Sequence, residues 1–222
     1  MKKNKDSESF STVSVVLKLL IFLCSTVGVS IDASDSGARV LLYFTIQSNL
    51  WIGITSLVLA VRILRHQPVS AALHRVKLMF TMAILLTGGV FCFLLAPVDG
   101  LSFTLANILT HVAVPLLSLL DYLLFDTAYA YEWKDAFWSL IPPVYYILFA
   151  AVGYVQNWDF TQNNHRNYPY FFLNWGSPCG VFGFSSEPPF MGTGCWILVM
   201  FVIMTGFSCI LIGCSKLRHL KG

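Results

Sequence analysis

The chain has 222 residues, of which 56% are hydrophobic, 15% are aromatic and only 11% are charged. A soluble domain carries roughly a quarter charged residues, so this composition excludes an ordinary soluble fold and predicts a polytopic membrane protein. The net charge is +3, but the basic residues form short runs beside apolar segments, which argues against nucleic-acid binding. The sequence contains no long polar block, so residues 1–222 are expected to form a single integral membrane domain.

Six apolar segments follow one another along the chain, each near the roughly 20 residues that cross a bilayer core of about 30 Å. The first resembles the core of a signal peptide, but it is long for one and contains Lys18, so we interpret it as an uncleaved transmembrane helix. Pro142 and Pro143 are expected to kink the fifth span or to delay its regular start. The predicted spans are residues 13–31, 39–64, 76–96, 102–125, 137–155 and 193–213.

The distribution of positive charge predicts the orientation. Lysine and arginine are enriched in cytoplasmic connections, and eleven of the fourteen fall at one set of helix ends. These eleven are Lys2, Lys3, Lys5, Arg62, Arg65, Arg75, Lys77, Lys134, Lys216, Arg218 and Lys221. The sequence therefore predicts an all-α fold, a polytopic six-transmembrane-helix bundle with both termini cytoplasmic.

Lys18 and the cysteines allow more than one interpretation. Lys18 lies about two turns from the cytoplasmic end of its span, so we expect its side chain to snorkel to the interface; a partner inside the bundle is the alternative. The six cysteines have no metal-ligand spacing. Cys179 and Cys195 flank the end of the longest loop, and a disulfide between them is possible if that loop faces an oxidising compartment.

A group of polar side chains interrupts the second span. Thr45, Gln47, Ser48 and Asn49 lie within five positions of an otherwise apolar segment. Unpartnered polar side chains are costly in hydrocarbon, so they are expected to face other helices or a wet cavity. At about 100° per residue, Thr45 and Asn49 share one face with Ser48 at its edge, whereas Gln47 points away and is expected to support the site.

Polar residues of the fourth span also share one face. Six of them fit an arc of roughly 100°: Thr104, Asn107, His111, Ser118, Asp121 and Tyr122. Thr45 and His111 would lie about 9 Å and about 13 Å below the non-cytoplasmic surface, so they could meet at a polar cavity between the second and fourth spans. Asp121 lies about 15 Å further along the helix than His111, too far to be its direct partner.

This pattern suggests one catalytic arrangement and leaves another reading open. A threonine hydroxyl becomes a nucleophile when a neighbouring base, such as neutral His111, takes its proton. Asn49, Asn107 or a backbone amide could then stabilise an oxyanion, which fits acyl transfer or ester hydrolysis on a lipid. Alternatively, Thr45 bonds a carbonyl of its own helix and His111 belongs to a structural polar network.

Two further groups are candidates for function. The aromatic segment 167–175, which contains Tyr168 and Tyr170, is predicted to form either a lid over the cavity or an aromatic belt at the interface. Asp121 and Asp126 lie nearer the cytoplasmic end and could serve an ion or proton path.

Several short motifs resemble those of a known family. They are Tyr43-Phe44-Thr45, the stretch from Asn107 through His111 to Pro115, and Asn167-Tyr168-Pro169. In order and spacing the chain resembles the androgen-induced/FAR-17a membrane hydrolases and their six-span bacterial relatives. The resemblance implies hydrolysis of fatty-acid esters of hydroxy fatty acids, with Thr45 as nucleophile and His111 as its partner. Animal members carry a second histidine where this chain has Asn107.

The residues and the resemblance together predict an intramembrane threonine hydrolase that cleaves lipid esters drawn from the bilayer, in a bacterial plasma membrane. Catalysis is assigned to Thr45 and His111. Binding, oxyanion or support roles are assigned to Asn49, Ser48, Gln47, Asn107, Ser118, Tyr168 and Tyr170. No metal or organic cofactor is implied. The chief alternative is a non-enzymatic lipid or small-molecule binder or transporter with a polar intramembrane cavity, and a third is a scaffold whose polar faces only join helices.

Overall fold

A computed structural model describes residues 2–161 and 165–221 of the chain. Within these residues, six helical segments are long and apolar enough to span a membrane, which confirms the predicted all-α six-span bundle. These segments are Ser11–Leu42, Phe44–Leu64, Ala71–Val98, Leu105–Leu124, Trp133–Val155 and Thr193–Arg218. The α-helices are α1 (Lys2–Ser36), α2 (Phe44–Leu64), α3 (Ala71–Val90), α4 (Ala96–Asp99), α5 (Leu105–Ile108), α6 (Val114–Leu124), α7 (Ile141–Val155) and α8 (Thr193–Lys221).

The start of the second span differs from the prediction. The chain forms a 3-10 helix over Gly37–Leu42, and Tyr43 is extended, with φ −92° and ψ 138°, so that α2 begins only at Phe44. The predicted continuous helix from residue 39 is therefore wrong. Thr45 lies in the first turn of α2 instead of well inside a helix.

Proline determines the start of the fifth span. Its first part, Trp133–Leu140, is a 3-10 helix, and the regular helix α7 starts at Ile141 with Pro142 and Pro143 in its first turn. The first turn of an α-helix tolerates proline because those backbone N–H groups have no partner within the helix. The predicted delay of the regular start is confirmed.

Two spans contain a wide turn just before a proline. Residues Phe91–Leu95 and Leu109–Ala113 are π-helical, and they precede Pro97 and Pro115. In each case a backbone N–H bonds five residues back, from Ala96 to Phe91 and from Val114 to Leu109. Proline has no N–H and its ring crowds the carbonyl four residues earlier, so the helix widens to pass it. The third span thus continues through α4 instead of ending at residue 96.

Helix α3 is the centre of the bundle, because it contacts α2, α6, α7 and α8. It also contacts both π-helical turns, Phe91–Leu95 and Leu109–Ala113. Because the described chain crosses the bundle six times, the start of α1 and the end of α8 lie at the same end, which we call the termini end. The opposite end, which we call the loop end, contains residues 156–161 and 165–192. There, the loop is attached to the start of α2: Arg39 donates to the carbonyl of Thr161 at 2.8 Å, and the Tyr43 hydroxyl donates to the carbonyl of Phe160.

Candidate functional site

Thr45 lies in a small cavity at the loop end, with a volume of about 50 Å³. The polar part of its wall consists of hydroxyl groups from Thr45, Thr87, Tyr146 and Tyr170, and the rest is apolar. The Tyr146 hydroxyl donates to the carbonyl of Leu42 at 2.8 Å, which fixes the ring at the start of α2. The cavity has room for a few water molecules at most, not for a lipid chain.

The hydroxyl of Thr45 already has a partner. The Tyr170 oxygen lies within hydrogen-bonding reach of both the hydroxyl and the backbone N–H of Thr45, and it also contacts Tyr146. Burial raises the pKa of Tyr170 to about 12, and the Thr45 hydrogen bonds oppose that rise. Tyr170 is therefore a neutral phenol at physiological pH and is no base for Thr45. The segment that carries Tyr170 covers this cavity, since Phe172 and Leu173 also line it.

The other polar residues of α2 join helices to one another. Ser48 shares a 2.8 Å hydrogen bond with the hydroxyl of Thr87 and donates to the carbonyl of Thr45 at 3.0 Å. Asn49 donates to the same carbonyl at 2.8 Å and to the carbonyl of Thr110 at 3.1 Å. Ser48 and Asn49 are both fully buried, so these bonds link α2 to the third and fourth spans.

Gln47 faces away from these partners, in agreement with the helical geometry. Its amide nitrogen donates to the carbonyl of Leu41 at 2.8 Å, across the break that precedes α2. Its amide oxygen is buried and has no hydrogen-bond partner. Gln47 thus fastens the 3-10 segment to the helix.

His111 occupies the wide turn of the fourth span. Its ring stacks on Phe91, which begins the wide turn of the third span, with centroids 4.0 Å apart and planes 15° apart. The imidazole is only 7% exposed, and its buried Nδ1 atom has no hydrogen-bond partner in the described part of the chain. The backbone of Thr87 lies within hydrogen-bonding reach of the ring. Wide turns of this kind are frequent at functional sites, and here two of them meet at one histidine.

Pro115 explains how the third and fourth spans approach each other so closely. It has no N–H to donate to the carbonyl of His111, four residues earlier. That carbonyl faces Gly88 of α3, where a Cβ atom would lie only 2.8 Å from it. Glycine is required here because any side chain would collide with the carbonyl and with Pro115.

A groove of about 690 Å³ runs beside His111. It lies between the third, fourth and sixth spans, not between the second and fourth as the sequence suggested. Its wall is almost entirely apolar, and several wall residues are also open to the surroundings of the bundle, so the groove opens sideways. These exposed wall residues are Phe93, Leu116, Val199, Ile203 and Phe207.

Thr45 and His111 line different cavities. Thr45 belongs to the small cavity and His111 to the groove, and the two share the wall residues Leu86, Val90 and Met200. Among the described residues, the hydroxyl of Thr45 lies within reach of Tyr170, and no hydrogen bond between Thr45 and His111 is found. The two sites are neighbours that share part of one wall.

The remaining predicted site residues lie apart from both cavities. Asn107 donates to the carbonyl of Ser102 at 2.7 Å at the start of the fourth span. Ser118 is fully buried, and its hydroxyl has no hydrogen-bond partner. The guanidinium of Arg166 lies over the ring of Tyr168, with its Cζ atom 6.0 Å from the centroid of that ring.

The expectation that Lys18 snorkels is wrong. Lys18 is 2% exposed, and its Nζ atom lies 2.7 Å from one carboxylate oxygen of Asp121. Lys77, which is fully buried, lies 2.8 Å from the other oxygen. Single-span geometry could not reveal this ion triad because its members come from α1, α3 and α6. The sequence did contain an indication of this pairing, because Lys18 and Asp121 lie in two different apolar spans and charged residues inside membrane spans usually pair with one another.

The described residues contain no group of three or more histidine, cysteine or acidic side chains that could hold a metal ion. All six cysteines are free, so the considered Cys179–Cys195 disulfide is not formed. Comparisons with protein-family models, with curated proteins and with solved structures find no match to this chain.

Proposed function

We propose that this multi-pass membrane protein binds a lipid in the groove beside His111. The observation that carries the proposal is a groove of about 690 Å³, apolar almost throughout, with one buried and unpartnered imidazole nitrogen in its wall. Small-molecule sites typically have this size and this combination of apolar wall and few polar groups. The acyl chain would lie against α3 and α8, and the lipid's polar group would lie next to His111.

The position of the groove favours a ligand that comes from the bilayer. Its opening is bordered by Phe93, Leu116 and Ile203, whose side chains are 86%, 60% and 56% exposed on segments that fit a membrane-spanning bundle. A water-soluble ligand would have to cross hydrocarbon to reach this opening. We place the protein in a bacterial plasma membrane, in keeping with the resemblance described above.

The lipid-binding proposal is tested by filling the groove. Gly89 lines it, and a Cβ atom there meets no atom within 4 Å, so the backbone accepts a side chain and Gly89→Phe places a ring in the groove. Gly206 of α8 is equally unobstructed and does not line the groove, so Gly206→Phe is the matched control. Purified protein is photolabelled with a diazirine-bearing fatty acid in detergent micelles. We expect Gly89→Phe to reduce labelling about tenfold, equivalent to 1.4 kcal/mol, and the control to leave it unchanged. Equal labelling of both variants would contradict the proposal.

Hydrolysis of a lipid ester with Thr45 as nucleophile is a second candidate function. It is supported by the resemblance to threonine-dependent membrane hydrolases and by the three wall residues that the Thr45 cavity shares with the groove. Thr45 Oγ1 would bond to the acyl carbon while the alcohol leaves with a proton, and water would then release the fatty acid. Because the hydroxyl is bonded to Tyr170, this reaction requires Tyr170 to give way and the imidazole to approach when substrate binds.

A fluorophosphonate probe distinguishes the two candidates. If Thr45 is a nucleophile, the probe labels the purified protein and Thr45→Ala abolishes labelling. Thr26→Ala, which removes an exposed threonine hydroxyl from α1, is the matched control and should label normally. Labelling that persists in Thr45→Ala, with an unchanged melting temperature, would remove Thr45 from the proposed chemistry. Lipid binding in the groove would be unaffected by that result.

A further inference from the structure

The buried ion triad contains more positive than negative charge. Asp121 bears one negative charge and has an ammonium group at each carboxylate oxygen, Lys18 at 2.7 Å and Lys77 at 2.8 Å. Ser14 accepts a hydrogen bond from Lys18 at 3.1 Å, and Ser56 accepts one from Lys77 at 3.4 Å. Hydroxyl groups satisfy donors but supply no charge, so the triad retains a net charge of +1. A buried uncompensated charge is strongly unfavourable, and a counter-charge is therefore expected nearby.

Asp126 is the acidic side chain that can supply this counter-charge. It is 5% exposed, lies two residues after the end of α6, and its Oδ2 atom is buried without a hydrogen-bond partner among the described residues. The carboxylate is attracted by Lys18 and Lys77 and repelled by Asp121, which places it in the field of all three members of the triad. An unpartnered carboxylate oxygen at such depth is rare, because buried acidic oxygens are normally bonded.

The other charged groups near Asp126 in the described part of the chain do not balance the triad, because Arg218 of α8, which donates to Thr127 at 2.8 Å, is itself positive and Asp135 is already paired with Arg75 at 2.8 Å. Tyr122 of α6 and Tyr131 of the following link interact with Asp126, and both are fully buried. From α8, the thiol of Cys214 faces Tyr122. Burial and the neighbouring acidic groups raise the pKa of Tyr131 above its ordinary value, so that phenol is neutral. From α3, the ring of His74 stacks on Tyr129, with centroids 4.4 Å apart.

We infer that Asp126 is a proton-binding site, at which one proton switches the buried Lys18–Asp121–Lys77–Asp126 cluster between zero and +1 net charge. With Asp126 ionised, two ammonium groups and two carboxylates cancel. With Asp126 protonated, the new O–H supplies a donor and the cluster carries the charge of one ammonium group. This site lies at the termini end and is separate from both the groove and the Thr45 cavity.

The competing influences on Asp126 place its titration near neutral pH. Burial raises the pKa of Asp126, Lys18 and Lys77 lower it, and Asp121 raises it, which together bring it to about 6. The raised pKa means that the folded protein holds this proton more tightly than the unfolded chain does. The corresponding contribution to stability is therefore present below the unfolded pKa, near 4, and is lost as the pH rises through about 6.

Infrared spectroscopy of the purified full-length protein tests the inference directly. The C=O stretch of a protonated carboxyl group is followed from pH 4.5 to pH 8. We expect a band that disappears with a midpoint near pH 6, that is absent in Asp126→Asn and that shifts in frequency in Asp126→Glu. Asp35→Asn, at an exposed aspartate of α1, is the control and should retain the band. A titration that is identical in wild type and Asp126→Asn would overturn the proposal.

The dependence of the melting temperature on pH gives a second readout. Between about pH 4 and pH 6.5 the melting temperature of the wild type should fall by several degrees relative to that of Asp126→Asn, which has no proton to lose. Below about pH 4 and above about pH 6.5 the two curves should run parallel, because Asp126 then has the same protonation state in the folded and the unfolded chain. Parallel curves over the whole range would count against a proton at Asp126. Neither experiment depends on lipid binding.

Discussion

At the scale of single residues, the buried charges are the most demanding feature of this protein. Lys18, Lys77 and Asp121 are each at most 2% exposed. Ionic groups at such depth are tolerated only when they are paired, and the desolvation they suffer can exceed their mutual attraction. Removing one member of the cluster should therefore destabilise the fold strongly, because the remaining charges stay buried without compensation.

Asp121→Asn should lower the free energy of unfolding by about 3–5 kcal/mol, because it leaves two buried ammonium groups without their shared carboxylate. The measurement is unfolding by SDS in mixed micelles, followed by tryptophan fluorescence. Asp35→Asn removes the same charge from an exposed position and should change stability by no more than about 0.5 kcal/mol. A loss below about 1 kcal/mol for Asp121→Asn would mean that the triad is hydrated and not buried as described.

At the loop end of the bundle, Tyr170 is the residue on which several buried polar groups depend. Its phenol occupies the hydrogen-bonding groups at the start of α2, including the hydroxyl of Thr45. It also stacks on Phe172, with ring centroids 5.0 Å apart. Any chemistry at Thr45 therefore depends on a change in the loop that carries Tyr170.

At the scale of helices, two prolines and one glycine determine how the third and fourth spans meet. Pro97 and Pro115 each follow a wide turn, and these turns bring Phe91 and His111 into a stack. Gly88 allows the freed carbonyl of His111 to approach α3. The groove wall next to His111 results from this junction.

Gly88→Ala should destabilise the protein by about 1–3 kcal/mol, because the added methyl group would meet the His111 carbonyl at 2.8 Å and the Pro115 ring at 3.0 Å. The adjacent Gly89 is the matched control. A Cβ atom at Gly89 meets nothing within 4 Å, so Gly89→Ala should be neutral or stabilise by up to about 1 kcal/mol through helix propensity. Unfolding by SDS again provides the measurement. Equal effects of the two substitutions would refute the close approach of α3 to the fourth span.

At the scale of the whole molecule, the placement of basic residues predicts that both termini are cytoplasmic. Alkaline phosphatase fused after Gly100 should therefore be active, whereas a fusion after Gln67 should be inactive. Green fluorescent protein fused to the C-terminus should fluoresce. The reverse pattern at these positions would show that the bundle is inserted with the opposite orientation.

The number of spans and the delayed start of the fifth helix were predictable from the sequence. Hydrophobic length predicted six crossings, and the chemistry of proline predicted the late start of α7 at Ile141. The break at Tyr43 was not predictable, because it depends on Phe160, a residue more than a hundred positions away that binds the tyrosine hydroxyl. Local propensity contains no information about such a partner.

The polar residues of the second and fourth spans show the same difference between what one helix determines and what the packing of several helices determines. Helical geometry correctly separated Gln47 from Asn49, since the periodicity of one helix is a local property. Whether Thr45 would meet His111 depended on how separate helices rotate and translate against each other. Their packing directs Thr45 to Tyr170 and His111 to Phe91, and it brings Lys18 to an aspartate 103 positions away.

By itself, the sequence determined that this chain forms six membrane-spanning helices, and it identified the polar residues that those helices must accommodate. Both follow from interactions within a segment: hydrophobic length, helical period and the missing N–H of proline. Only the tertiary structure decided which polar groups meet, because those contacts join segments far apart in the chain. It divided the expected single site into a small cavity at Thr45 and an apolar groove at His111. It also united two lysines and an aspartate from three helices, since unpaired charges are too costly to bury.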